Sequence, residues 1–526
     1  MAEWGESVIY NIEVETKSPL LIGSSSGSDV WSKDIAMKKN LPIIPGSAIK
    51  GAFREVSPML KSEYAAEINS LFGDSENQGK LIFSELSVKS PHISNLFLER
   101  THISMDRKTR TVSNKKLFKI RAVNTGVKFE GNVFAVSPMT SSEEKVFALL
   151  LSLTKKLGSK KSAGYGFIDI RLTGKVEKSS ITNIPQARVA QIICEPMEPF
   201  LVTSERTKSY LYNSAKYIPG STLRGAYAAR FPKTTQEFKE IFLLEKVKFP
   251  NLYPMINDAI AYLSPDSILR AKYSEDSDEI FDQLLFILIS SIENSRGKKF
   301  SVRNIREGKR LDRTGKWHVP RIGVFDSGEG DTSTQVSLDS KLRSAKDGSL
   351  RTYNTYFHNK MSGLFRSESE SLLSLLNEDW LYIGNSKTRG FGLVRVVEIR
   401  KYNIDLTEEI RRFNKSIQNV LPGEDRTFVP ILLTSDLILQ KDETIEMLMG
   451  KEFKLVLSLL KTSHTSGWSS ASNTPKAFQN VVSAGTVIIY DTHLSVEESA
   501  EILEKLYIKG LGKFTGSGYG QFVIYK

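Results

Sequence analysis

A chain of 526 residues with 40% hydrophobic and 25% charged residues has the material for about three packed cores and is too apolar for disorder. Its 72 lysines and arginines against 60 acidic residues leave a net charge of +12, which favours a polyanionic partner. A single cysteine, Cys194, excludes an internal disulfide and a cysteine-based zinc site; no apolar run reaches transmembrane length, residues 1–6 lack signal-peptide layout, and a cytoplasmic protein with no membrane partner is expected.

Residues 8–15 alternate apolar and polar, as a strand does. A polar loop leads to Ile44-Pro45-Gly46-Ser47-Ala48-Ile49-Lys50-Gly51-Ala52, a Pro-Gly turn followed by helical spacing through Phe53 and Val56. Ser47 is placed to cap that helix, with Lys50 and Arg54 inside it, an arrangement suited to a phosphate. Residues 101–110 alternate and end in a basic loop with Lys108 and Arg110, which reads as a hairpin. Ser141-x-x-Glu144 forms a capping box for a helix through Val146, Phe147, Leu150 and Leu151, which ends near Gly158. Lys160-Lys161-Ser162-Ala163-Gly164-Tyr165-Gly166 follows and runs into a strand ending near Leu172. That order is a β-α-β…α-β unit of ferredoxin-like type.

The pattern then returns. After a polar linker at 175–183 and a strand at 189–193, Ile218-Pro219-Gly220-Ser221-Thr222-Leu223-Arg224-Gly225-Ala226 repeats the first turn. A helical stretch is expected over 280–292, a basic segment over 296–321, and a second hairpin ending in a basic loop with Arg343 and Lys346. Ser367-x-x-Glu370 opens the next capped helix, with Gly384 at its end and Lys387-Thr388-Arg389-Gly390-Phe391-Gly392 beyond. A third unit begins near Thr427 without a Pro-Gly-Ser turn. It keeps Ser495-x-x-Glu498, Gly510 and Lys513-Phe514-Thr515-Gly516-Ser517-Gly518-Tyr519-Gly520, while Ser466 to Trp468 and Pro475-Lys476 fall on a long loop. The capping serine stands 23 residues before the Gly-aromatic-Gly triplet in all three copies, which chance does not readily supply. These loops are neither Walker loops nor dinucleotide fingerprints, because they lie between a helix and a following strand. The recurring cations are expected to meet phosphates; Tyr165, Phe391 and Tyr519 are expected in the core rather than stacked on bases.

The Pro-Gly-Ser turns and glycine loops resemble the RAMP superfamily, the repeat-associated proteins of CRISPR systems. Residues 1–175 are similar to a backbone subunit of type III effector complexes through residues 41–51, Leu71-Phe72-Gly73, residues 79–83, residues 106–109 and Gly164-Tyr165-Gly166. Residues beyond 185 resemble the type III-D subunit near the 5′ tag of the guide through residues 217–225, Ser344-Ala345-Lys346-Asp347-Gly348, Ser466-Gly467-Trp468 and Ala484-Gly485.

The resemblance implies an α+β fold of tandem ferredoxin-like (RRM-like) RAMP domains with glycine-rich loops, at 1–175, 185–402 (with an insertion) and 405–526. It implies binding of CRISPR RNA and target RNA beside other RAMP backbone subunits and a large polymerase-like subunit. The RNA contacts expected are Ser47, Lys50, Arg54, Lys108, Arg110, Lys160, Lys161, Ser221, Arg224, Arg343, Lys346, Lys387, Arg389 and Lys513. Backbone subunits of this kind cut target RNA with an aspartate in the loop before the Pro-Gly-Ser turn. Here that implies Asp34, with Asp29 as the alternative, and Mg2+ or another divalent cation as cofactor. The equivalent loop of the second unit, residues 203–216, has no aspartate, so that unit is expected to bind without cutting. The rival expectation is a CRISPR-precursor processing endoribonuclease. It is disfavoured because the six histidines look scattered and unpaired with the glycine loops.

Overall fold

The computed structural model describes all residues except 1–7, 24–34, 39, 74–78, 90–94, 106–111, 178–183, 209, 272–279, 296–307, 311–315, 321, 327–329, 336–347, 349, 388–389, 470–473 and 526. Its architecture is mixed α+β. In the first unit, Val8–Thr16 lies between Lys128–Ala135 and Ile168–Glu177, with Leu86–Val88 beyond the former, all antiparallel. The strands therefore stand in the order second-third-first-fourth. Tyr253–Ile256, Met361–Ser367, Val189–Pro196 and Leu393–Lys401 take the same order in the second unit. Lys454–Leu459, Val487–Thr492, Thr427–Leu433 and Phe522–Ile524 take it in the third. Three sheets of one order are consistent with tandem ferredoxin-like units of the RAMP type.

Period-2 alternation gives each sheet two apolar faces. In the first strand Tyr10, Ile12 and Val14 pack with Phe53 and Phe147 from the unit's own helices. Ile9 faces the other way, into a cluster with Ile82, Phe134, Tyr382 and Leu393 that joins the first unit to the second. The second unit repeats this division. Ala190, Ile192 and Cys194 line its own core. Val189, Tyr253 and Leu364 meet the third unit's Val429, Leu503 and Phe522. Within that second junction Arg366 is buried, its Nη2 donating to Phe522 O at 2.7 Å and its Nη1 to Tyr507 O at 3.2 Å. The outer face of the third sheet (Phe428, Leu432, Ile489) is covered by helices Leu284–Ser295 and Leu406–Gln418. Each fully buried Leu, Ile or Phe in these layers contributes about 1.5–3 kcal/mol.

Several local expectations shift. Helix Ser141–Leu153 is capped by the reciprocal Thr140–Glu143 pair rather than by Ser141 and Glu144. Glu143 is fixed there because Lys80 and Ser70 also bind its carboxylate, at 2.8 and 2.6 Å. No capping box forms at 367–370: Ser367 ends a strand, its hydroxyl donates to Ser369 O, and the helix is one turn, Glu370–Leu373. The box at Ser495 and Glu498 is present. Ser47 and Ser221 do not cap, because the helices start one residue earlier, at Gly46 and Gly220, behind Pro45 and Pro219. Proline's fixed φ pre-sets that entry. Over 280–292 the chain is first a short strand, Ile280–Asp282, paired to Ile268–Ala271, and helical only from Leu284. The expected loop around Ser466 and Pro475 is a two-stranded hairpin, Thr462–Ser469 with Thr474–Val482.

Candidate nucleic-acid interface

The three glycine loops share one backbone structure. Gly158, Gly384 and Gly512 take positive φ (82°, 77°, 69°), and the next N–H of each loop donates at 2.8 Å to Leu21 O, Leu201 O and Ile438 O. The third equivalent is thus Gly512, while Gly510 is the helix C-cap. Two residues on, Lys160, Ser386 and Phe514 are left-handed at φ 56–57°, an uncommon state for a side-chain-bearing residue. Gly166, Gly392 and Gly520 then donate to Pro19 O, Pro199 O and Asp436 O at 2.8–3.0 Å. A Cβ on any of these three would collide with the carbonyl of Leu157, Ile383 or Leu511. The fold therefore requires glycine there for close backbone approach.

The aromatic residue of each triplet points inward to the base of its unit's hairpin. Tyr165 and Phe391 are buried and Tyr519 is half-buried. Tyr165 Oη lies 3.1 Å from His102 Nε2, Phe391 packs 5.2 Å from the Tyr353 ring, and Tyr519 Oη lies 3.3 Å from Thr465 Oγ1. Each loop is thereby tied to its hairpin, which in the first unit is Phe97–Met105 with Val112–Val123.

The cations around these loops differ in setting. Lys160 carries the left-handed position, and Lys161 is ion-paired with Glu55. Burial, then the charges of Lys160 and Arg100, hold the His102 imidazole below the usual histidine range. Lys387 lines a cavity of about 250 Å³ between the first two units, with Lys80, Arg230, Ser137 and Tyr382. Burial and then the Arg230 charge push its ammonium below the usual lysine range. Lys513 is exposed, beside a half-exposed Phe514.

The helix-start residues are more enclosed. Lys50 is buried. Arg54 donates to the carbonyls of Phe72 and Gly73 at 2.9 and 3.0 Å, closing the end of helix Lys61–Phe72. Arg224 bonds Phe242 O and, at 3.3 Å, Ser517 Oγ of the third unit's loop. Ser47 and Ser221 lie in the first turns of their helices. Asp29, Asp34, Lys108, Arg110, Arg343, Lys346 and Arg389 lie outside the described residues. Among the described residues no group of three or more His, Cys, Asp and Glu is placed to hold a metal ion, and no helix is long and apolar enough to cross a membrane.

Sequence reasoning missed two features. His102 is paired with a glycine-loop tyrosine, contrary to the expectation of scattered histidines; Arg100 and His102 are two apart on a strand and so share a face, which alternation alone signals. The third hairpin presents Trp468 and Phe478, 58% and 80% exposed, a combination seen on stacking platforms for single-stranded nucleic acid.

A family model described as RAMPs: RAMP superfamily matches residues 13–169 and 202–395. Among solved structures the chain is similar to one titled Cryo-EM structure of the Type III-B Cmr-beta bound to cognate target RNA. That match has 19% identity and a TM-score of 0.28 and covers 33% of this chain and 61% of that one. A structure of the same assembly with cognate target RNA and AMPPnP matches at 13% identity and a TM-score of 0.34, over 57% of this chain and 86% of the other. Its apo state matches at 13% and 0.25, over 31% and 97%. These TM-scores lie below the range that implies a shared fold. No curated protein matches.

Proposed function

Because the chain belongs to the RAMP superfamily, we propose that it is a CRISPR RNA-binding subunit of a type III effector complex, holding the guide near its 5′ tag. Its units would span 1–175, 185–402 and 405–526, with the other RAMP backbone subunits and a large polymerase-like subunit as protein partners, in the cytoplasm. The observation that carries the reading is the threefold glycine loop, each copy with basic residues and tied to a hairpin, on a chain of net charge +12. Such loops offer cations to a phosphate chain, and exposed Trp468 and Phe478 offer ring faces to bases.

Target cleavage belongs to the first unit in this reading, through Asp34 or, failing that, Asp29. Their carboxylates are hard oxygen donors of the type that suits Mg2+. The chemistry is in-line attack of a target 2′-oxygen on its own phosphorus. The P–O5′ bond breaks, the 2′-hydroxyl proton is lost, and the leaving 5′-oxygen gains one, giving a 2′,3′-cyclic phosphate and a 5′-hydroxyl. The test is the complex reconstituted with guide RNA, challenged with target RNA and with repeat precursor, as wild type and as Asp34→Ala. The expected result is loss of one target cut in the variant and no unaided cutting of precursor.

One contact favours the second reading, the precursor endoribonuclease. His102, whose imidazole burial and then the charges of Lys160 and Arg100 hold below the usual histidine range, lies 3.1 Å from Tyr165 Oη, so a residue type able to act as general base stands at a glycine loop. Unaided precursor cutting abolished by His102→Ala would establish that reading in place of the first.

A further inference from the structure

The two internal junctions are built alike. At the first, Gly390 of the second unit's loop sits on the Pro-Gly-Ser helix start of the first: a Cβ on Gly390 would stand 3.9 Å from Gly46 N. Leu393, just after that triplet, packs into the first unit's open sheet face, where Trp380 and Tyr382 meet Phe134 at 5.4 and 5.8 Å. At the second junction, a Cβ on Gly518 would stand 2.8 Å from Gly220 Cα. Gln521, at the position of Leu393, donates to Phe249 O at 3.2 Å. The second and third units thus each seat a glycine loop on the helix start of the unit before and cover that unit's sheet.

The ends of the series differ. The third unit has no Pro-Gly-Ser turn, and its outer sheet face is covered by helices Leu284–Ser295 and Leu406–Gln418. The tip of the first unit's loop, residues 162–164, has no helix start seated on it among the described residues. Gly164, the equivalent of Gly390 and Gly518, has no atom of the described residues within 4 Å of a Cβ position; Ser162 and Ala163 are exposed; and Phe167, the equivalent of Leu393 and Gln521, is 40% exposed. The Lys156 ammonium stands 4.7 Å from its ring centroid.

We infer that the first unit's glycine loop and Phe167 form a docking surface for a different RAMP-type chain, one that presents an unfilled Pro-Gly-Ser helix start beside an open apolar sheet face. A second copy of this chain does not fit, because both of its own turns are filled by its own loops. The stack is capped at the third unit and extends at the first alone, and only with a heterologous partner. This rests on the reading of the chain as a subunit of a RAMP assembly.

The test uses the full chain assembled with guide RNA and the RAMP subunits encoded beside it. Cys194 is buried, so Ser162→Cys can be labelled selectively with a photo-crosslinker. The expected crosslink lands on a partner peptide bordering a Pro-Gly-Ser helix start; a crosslink to any other surface, or none in the assembled complex, overturns the inference. Phe167→Glu, on an exposed position beyond the loop's cations, should weaken partner binding by about tenfold or more with thermal unfolding unchanged. Unaltered partner affinity overturns it, as does self-association of the isolated chain through Ser162. If the chain binds neither guide nor RAMP subunits, the functional reading falls and this inference with it; if it binds both but crosslinks elsewhere, only the inference falls.

Discussion

Glu198 is buried at the junction of the first two units. Its Oε1 accepts from Glu85 N–H at 3.3 Å. Burial, then the charge of Glu85, push its carboxyl up to about 8 from the ordinary 4.5. The folded chain keeps this proton where the unfolded chain has lost it, so stability declines as pH rises from about 4.5 to about 8 and levels off beyond. The slope from this group is on the order of 1 kcal/mol per pH unit. Thermal melts from pH 6 to 9 should show a shallower decline for Glu198→Gln than for wild type; equal slopes would contradict the assignment. Arg366 is the complementary case at the second junction, a buried cation held by two carbonyls and by the Tyr507 ring 3.7 Å from its guanidinium carbon. Arg366→Ala strands both carbonyls and should cost about 2–4 kcal/mol, read as a lower denaturant midpoint, whereas Arg366→Met should cost less.

At the scale of elements, the glycines fall into classes with different expected costs. Gly392→Ala meets both a positive φ of 85° and the Ile383 carbonyl, and should lose about 2 kcal/mol or more. Gly225→Ala, in open space inside helix Gly220–Ala228, should gain about 0.5–1 kcal/mol. Equal effects in chemical denaturation would contradict this division. The strands and the glycine loops were legible in sequence because alternation and the 23-residue spacing are local signals. The caps were less so. Thr140 displaces Ser141 because Lys80 and Ser70, far away in sequence, hold Glu143, and the helix starts at Gly46 and Gly220 are set by the carbonyls of Phe83 and Phe249. The pairing of His102 with Tyr165 joins residues 63 apart, beyond the reach of spacing. The third hairpin was read as a loop because its glycine and proline mask a strand pattern that pairing across Gly467–Lys476 and Trp468–Pro475 completes.

At the scale of the molecule, one interface used twice explains why two Pro-Gly-Ser turns accompany three glycine loops. The turns serve as seats for the next unit, which also accounts for Arg224 bonding Ser517 across the second junction. The phosphate-facing role is then left to the loop cations and hairpins, on a chain whose 72 basic residues outnumber its acidic ones by 12. The most direct measurement of that claim is the salt dependence of guide RNA binding, for wild type and for a variant with Lys160, Lys161, Lys387, Arg389 and Lys513 all changed to glutamine. Guide binding through these cations predicts that the slope of log affinity against log salt falls in magnitude by roughly 2 to 3.5; an unchanged slope would contradict it.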